Sequence, residues 1–198
     1  MTWMQTICAR QHDLLAPQKN PVDWNEIAFA LGKVNRFTGH TAFAYSVAQH
    51  SCLVHDILPV KYRLHGLLHD AAEAFTNDET TPMQAAREET ARRLANERGL
   101  PGDLVAAIVK ETRKEINDQH DRWIFAAAGL IPTSASYAAV KAADKIAFNT
   151  EFRDLTHGGD FYLQEKFAEF PPGKDRVKVW SPRRAEMEFL SRLKKLLP

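Results

Sequence analysis

The placement of proline and glycine constrains this chain more than any other feature. Ten prolines and nine glycines fall mostly between stretches of helical periodicity, not at the regular short spacing of an all-β fold. An all-α bundle of about six to eight helices is therefore expected. Asp23-Trp24-Asn25-Glu26 sets an N-cap acceptor ahead of a glutamate, and Ile27, Ala30, Leu31 and Val34 follow at helical spacing, which predicts a short first helix. From Thr41, the positions Phe43, Val47, His50, Val54 and Ile57 form one stripe, which Pro59 stops. A third helix is predicted from about Lys61 to Phe75, followed by a polar turn at Thr76-Asn77-Asp78-Glu79. Thr81-Pro82 opens a fourth that Gly99 ends, and Pro101 restarts helical pattern to Gly129, with Asn117 marking a place where it can break. Ser134 or Ser136 caps a helix to about Phe152, and Ser181-Pro182 opens an amphipathic terminal helix through Leu190, Leu193 and Leu197. Residues 154–180 read as irregular.

A length of 198 residues, against roughly 150 for a typical domain, suggests one unit with an appendage. We expect a single domain over residues 1–198, its core at about 24–152 and a C-terminal appendage over 154–198. A hydrophobic fraction of 44% and a charged fraction of 26% argue against disordered, collagen-like and coiled-coil chains. The net charge of +1 provides no field to hold a polymeric nucleic acid. Charge or histidine interrupts every apolar run well before the roughly 18 residues of a membrane span, and no basic segment leads into an apolar one at the N-terminus. A cytoplasmic protein without a membrane partner is expected. Cys8 and Cys52 lack the spacing of a zinc site, and a structural disulfide between them is not expected in a reducing compartment.

The dipeptide His-Asp occurs four times, at residues 12–13, 55–56, 69–70 and 120–121. Three of these copies read as solvated from their surroundings: an unpatterned N-terminal stretch, a helix end before proline, and a charged neighbourhood. His69-Asp70 alone sits in an apolar helix, between Leu67-Leu68 and Ala71-Ala72. With His69 at 0°, Asp70 and Glu73 lie at about 100° and 40° around that helix, so all three share a face. Two carboxylates and an imidazole packed there need a cation or an extended hydrogen-bond network. The alternative is a partly exposed helix face with both carboxylates in water. His65 is a weaker rival ligand.

Two further residues bear on that choice. His50 takes an aliphatic position in the second stripe, so its imidazole should face inward; the plainer reading is a satisfied core histidine. Asp144 repeats the anomaly within Tyr137, Val140, Asp144 and Ala147, and its plainer reading is an ion pair with Lys141 or Lys145. Two histidines and two aspartates turned inward from three helices are most economically explained by one divalent cation. His50, His69, Asp70 and Asp144 would ligate it. Trp3, Trp24, Trp123 and Trp180 read as packing residues.

The order of a histidine, then His-Asp, then a distant aspartate resembles the HD-domain metal-dependent phosphohydrolases. Arg36-Phe37 ahead of Gln49-His50-Ser51, then residues 68–73 (LHDAAE) and 76–82 (TNDETTP), looks like the small 5′-deoxynucleotidase branch, including small HD proteins of phages and prophages. The likeness covers about residues 24–150. It departs where many relatives have a hydrophobic residue and a lysine after the proline; this chain has Met83-Gln84.

The resemblance implies a single HD-domain bundle and a deoxynucleotide substrate. Glu73 and Asp78 would be catalytic, orienting and deprotonating the attacking water or protonating the leaving alkoxide, with the two roles not separated. Arg36 would anchor phosphate, Phe37 would lie against sugar or base, and Asp78 and Thr81 would touch substrate. Mixed imidazole and carboxylate ligands favour Mn²⁺, Co²⁺, Zn²⁺ or Fe²⁺, with Mg²⁺ possible. The expected reaction is removal of phosphate from 2′-deoxynucleoside 5′-monophosphates. A dNTP triphosphohydrolase using Lys141, Lys145 or Arg63 for the phosphate tail is the second reading, and a non-catalytic nucleotide sensor the third. A homodimer or higher homo-oligomer is expected, since dimers are common among such relatives, but no stripe here identifies an interface.

Overall fold

A computed structural model of the chain describes residues 1–157 and 168–197. The architecture is all-α, with one small antiparallel hairpin of β1 (Trp3–Gln5) and β2 (Gln11–Asp13) at the N-terminus. The helices are α1 (Trp24–Leu31), α2 (Val47–Ile57), α3 (Arg63–Leu68), α4 (Glu73–Thr76), α5 (Thr81–Glu97), α6 (Gly102–Ala127), α7 (Ser134–Leu155) and α8 (Pro182–Leu196). Side-chain caps mark several of the helix starts. Asp23 accepts from the backbone N–H of Asn25 and Glu26 at the start of α1, Ser46 accepts from Gln49 N–H at the start of α2, and Thr133 forms a capping box with Ser136 at the start of α7.

Several helix expectations are corrected. The second helix starts at Val47 rather than Thr41, because Ser46 caps it and the Asn35–Ser46 bridge commits the preceding residues to a loop. Phe43 lies in that loop and is 66% exposed. The third expected helix is interrupted: between α3 and α4, Ala71, Glu73 and Ala74 donate to carbonyls three residues back. That tightened turn carries His69 and Asp70. The helix α6 runs without a break through Asn117. Tyr137, expected on the buried stripe of α7, is 69% exposed. Trp24, Trp123 and Trp180 pack against the core, whereas Trp3 is 39% exposed.

The core is built where α1, α2, α3 and α8 meet, with Ile27, Leu31, Val47, Leu67 and Leu68 fully buried. The expected appendage carries a helix that completes this core through Ala185, Phe189 and Leu193. A second cluster of Val54, Leu58, Ala143 and Ala147 joins α2 to α7. These two packings hold α2, the α3–α4 turn and α7 against one another. Residues 158–167, part of the stretch expected to be irregular, lie outside the described residues. No helix is long and apolar enough to cross a membrane among the described residues.

Candidate metal centre

The three helical regions bring their anomalous polar residues together. His50 of α2, His69 of the α3–α4 turn and Asp144 of α7 offer ligand atoms that all lie within 4.8 Å of one another. His50 Nε2 is 3.1 Å from Asp144 Oδ1 and 3.5 Å from Asp70 Oδ2. His69 Nε2 is 3.2 Å from Asp70 Oδ2 and 3.9 Å from Asp144 Oδ1. Both Nε2 atoms are buried and neither makes a hydrogen bond, so the short approaches bring charge together without donor geometry. Asp70 thus borders both imidazoles but stands outside the mutual three-residue group.

The opposite ring nitrogens explain why Nε2 is presented. His69 Nδ1 donates to Gly66 O at 2.8 Å, which leaves its Nε2 as the available lone pair in the neutral ring. His50 Nδ1 meets Glu151 Oε1 at 2.6 Å. Glu151 is fully buried, accepts from Tyr45 Oη at 3.0 Å and lies 3.4 Å from Arg36 Nη2. A carboxylate behind a histidine in this way fixes the ring and raises its basicity toward a metal. Glu151 is absent from the residues singled out in the sequence. Its spacing of seven from Asp144, two turns along α7, is the signal that would have found it.

Burial and the local charges set the protonation states. Burial disfavours ionised Asp144, yet the adjacent His50 and His69 hold its carboxyl well below the usual carboxylate range. His50 is pushed up to about 10: burial and Arg36 oppose this, but Glu151 and Asp144 outweigh them. Glu73 is pushed up to about 10, first by burial and then by Asp70 and Asp78, so it carries its proton at neutral pH. Asp78 is raised by burial, with Asp70 adding to the effect and Arg36 opposing it.

Arg36 stands between three carboxylates, 3.8 Å from Asp70, 3.7 Å from Asp78 and 3.4 Å from Glu151. Its Nε is buried without a hydrogen-bond partner. Arg36, Phe37, Asp70, Glu73, Asp78 and Thr81 all border one cavity of about 890 Å³ that also reaches Asp144. Asn77, at the end of α4, takes a φ of 68° that turns the chain and delivers Asp78 to this cavity.

Other candidates lie elsewhere. His65 approaches Ile131 O and is not in the cluster. Asp144 forms no ion pair with Lys141 or Lys145 among the described residues. The histidines of the other three His-Asp pairs are buried instead of solvated. His12 and His120 meet at 3.0 Å between Nε2 atoms, and His55 Nδ1 is 2.7 Å from Asp56, which Arg192 also holds. Asp121 reaches toward the site from α6: burial first, then Asp70 and Asp118, push its carboxyl up to about 7.

No family model matches the chain. It is similar to the uncharacterised protein YfdR of Escherichia coli, 28% identical over 155 residues that cover 78% of this chain and 73% of that protein. It is also similar to the uncharacterised protein RCAP_rcc00048 of Rhodobacter capsulatus, 38% identical over 93 residues, which are 42% of this chain and 47% of that protein. In the second case the match spans about half of the relative's length.

Proposed function

We propose that this chain is a metal-dependent phosphohydrolase that removes phosphate from 2′-deoxynucleoside 5′-monophosphates. One observation carries the reading: two buried imidazole nitrogens without hydrogen-bond partners lie beside Asp144, which borders a cavity shared with Arg36, Glu73 and Asp78. The HD-phosphohydrolase resemblance of residues 24–150 supports the substrate class.

His50, His69 and Asp144, with Asp70 beside them, suit a single divalent ion of the Mn²⁺, Co²⁺, Zn²⁺ or Fe²⁺ type, with Mg²⁺ also compatible. Such an ion, when bound, supplies an activated water at neutral pH and polarises a phosphate oxygen. Arg36 offers a guanidinium fork to the non-bridging phosphate oxygens, in place of its loose pairing with Asp70 and Asp78. Glu73 enters protonated and donates to the departing 5′-oxygen, which needs a proton to leave as an alcohol. Asp78, on the polar turn, orients the attacking water and accepts its proton, and Glu73 is reprotonated from solvent at the end of the cycle. Thr81 borders the same cavity and can donate its hydroxyl to substrate.

The charge of the cavity favours a monophosphate over a triphosphate. Lys145 borders it, but Lys141 lies over the Tyr137 ring and Arg63 donates to Leu58 O. A triphosphate tail would face Asp70, Asp78 and Glu79, with Arg36 and Lys145 as the lysine and arginine side chains bordering the cavity among the described residues.

The test is a hydrolysis screen of all dNMPs and dNTPs with Mn²⁺, Co²⁺ and Mg²⁺, reading phosphate and tripolyphosphate separately. Phosphate released from dNMPs is expected. Tripolyphosphate from dNTPs would transfer the assignment to the triphosphohydrolase reading. Deoxynucleotide binding without cleavage of any substrate would sink the hydrolase and leave a sensor.

A further inference from the structure

Beyond Asp144, α7 carries Phe148 and Phe152 one and two turns on, about 6 and 12 Å along the axis at 1.5 Å per residue. Both rings border the same cavity as Asp70 and Asp144. Phe37 closes them into one wall: its ring centroid is 5.5 Å from that of Phe148 at 29° between planes, and 6.4 Å from that of Phe152 at 62°. Phe148 and Phe152 are themselves 6.0 Å apart. All three are half-buried, and none belongs to either core cluster among the described residues. Three large aromatic rings are thus gathered without serving the hydrophobic core.

The backbone makes a concession to put Phe37 there. Phe37 and Thr38 have φ of 55° and 52°, the left-handed region that residues with a Cβ disfavour. The loop is held in that state by Arg36 N–H donating to Tyr45 O and by the Asn35–Ser46 bridge. The same turn therefore aims Arg36 at the carboxylates and lays the Phe37 ring on Phe148. One pentose separates phosphate from base in a nucleotide, and here one to two helical turns separate Asp144 from the two rings of α7.

We propose that Phe148 and Phe152, with Phe37, form a stacking subsite for a planar nucleobase, so that the cavity selects phosphate esters carrying a base over simple sugar phosphates. The proposal rests on the hydrolase reading for what happens at the phosphate end and specifies the other end of the same substrate. Aromatic stacking tolerates any base because every base has a π-face, and it grows with the area of overlap. Purines are therefore held more tightly than pyrimidines.

Calorimetric titration of the full chain with 2′-deoxyadenosine, thymidine and 2-deoxyribose tests the subsite without any turnover. Saturable binding is expected for deoxyadenosine, weaker binding for thymidine and none for deoxyribose. Phe148→Leu keeps an apolar side chain but loses the flat face, and should weaken deoxyadenosine about tenfold, on the scale of one stacked base. Phe148→Tyr should restore it, and thermal unfolding checks that both variants are folded. Deoxyadenosine binding no tighter than deoxyribose, or unchanged in a folded Phe148→Leu variant, overturns the subsite. In parallel, KM for dAMP and for 2-deoxyribose 5-phosphate is measured with Mn²⁺. Hydrolysis of both esters at equal KM rejects the subsite and leaves the hydrolase standing. Deoxyadenosine binding that responds to Phe148, with no ester cleaved, upholds the subsite and rejects the hydrolase.

Discussion

The rings of His50 and His69 lie 5.3 Å apart between centroids, tilted at 48°, each held from behind by a different acceptor, Glu151 Oε1 for the first and Gly66 O for the second. The two Nε2 atoms are thereby aimed before any ligand arrives. Removing the charge behind His50 should loosen that aim without removing a ligand. Glu151→Gln is expected to weaken Mn²⁺ or Co²⁺ binding by about 10–100-fold, the usual scale for a group behind a metal-binding histidine. His50→Ala should abolish binding. Calorimetric titration of the metal alone checks both, and an unchanged Kd in Glu151→Gln would show that the carboxylate only packs.

Ligands and proton-handling groups separate in a second experiment. His69→Ala or Asp70→Ala should abolish both metal content and turnover. Glu73→Ala or Asp78→Ala should keep the metal while kcat falls by about 10²–10⁴, as when a general acid or base is lost. Metal analysis of each purified variant beside its kcat decides the matter. Full activity in Asp78→Ala would remove that residue from the mechanism.

How far the site could be read from the chain depended on whether local periodicity carried it. His50 sits on a stripe of Val47 and Val54, and Asp144 one turn before the buried Ala147, so each polar residue declared itself against apolar neighbours. Glu151 offered only its spacing of seven from Asp144, because the groups that make its burial tolerable, Tyr45, Arg36 and His50, are more than 100 residues away in the chain. The break between α3 and α4 was equally hidden. Leu67, Leu68 and Ala71 keep helical spacing across it, while the three-residue hydrogen bonds that tighten it carry no residue signature. The β1–β2 hairpin has three-residue strands, too short for alternation to show, and its turn uses Ala9 at a φ of 56° instead of a glycine. His12 reads as solvated because its stretch is unpatterned, and His120 because charge surrounds it in sequence. They are buried because Phe75 and Trp123 surround them in space.

Gly66 is where helix packing meets the site. A Cβ there would lie 2.2 Å from Leu58 Cδ1 and 3.2 Å from Val54 Cγ1, both on the α2 side. Its carbonyl is also the acceptor for His69 Nδ1. Gly66→Ala should therefore push α3 away from α2, costing about 1–3 kcal/mol in stability as overpacking does. Because α2 carries His50, the same variant should also weaken metal binding. Chemical denaturation and metal titration on one sample test the pair of effects. A stability loss with unaltered metal affinity would mean that the α2–α3 spacing does not set the distance between the two imidazoles.

The buried pair at the N-terminal hairpin responds to acid. His120 Nδ1 donates to Ile116 O, so in the neutral ring its Nε2 is an acceptor, and His12 Nε2–H fills it at 3.0 Å. A proton added to His120 Nε2 would set two N–H groups against each other. Burial first, then His120, pushes His12 down to about 4, and burial also lowers His120. Glu26, Asp13 and Arg10 also face His12, the two carboxylates raising its pKa and Arg10 lowering it. Unfolded histidine titrates near about 6.5. Between that value and about 4 the unfolded chain binds more protons than the folded one, so this contribution is complete above pH 6.5 and drains away as pH falls toward 4. Tm should decline across that window, by about 2–4 °C for each kcal/mol lost at this chain length. In His12→Gln, which keeps a donor for His120 but cannot titrate, the decline should flatten. An equally steep decline in that variant would place the acid sensitivity at other groups.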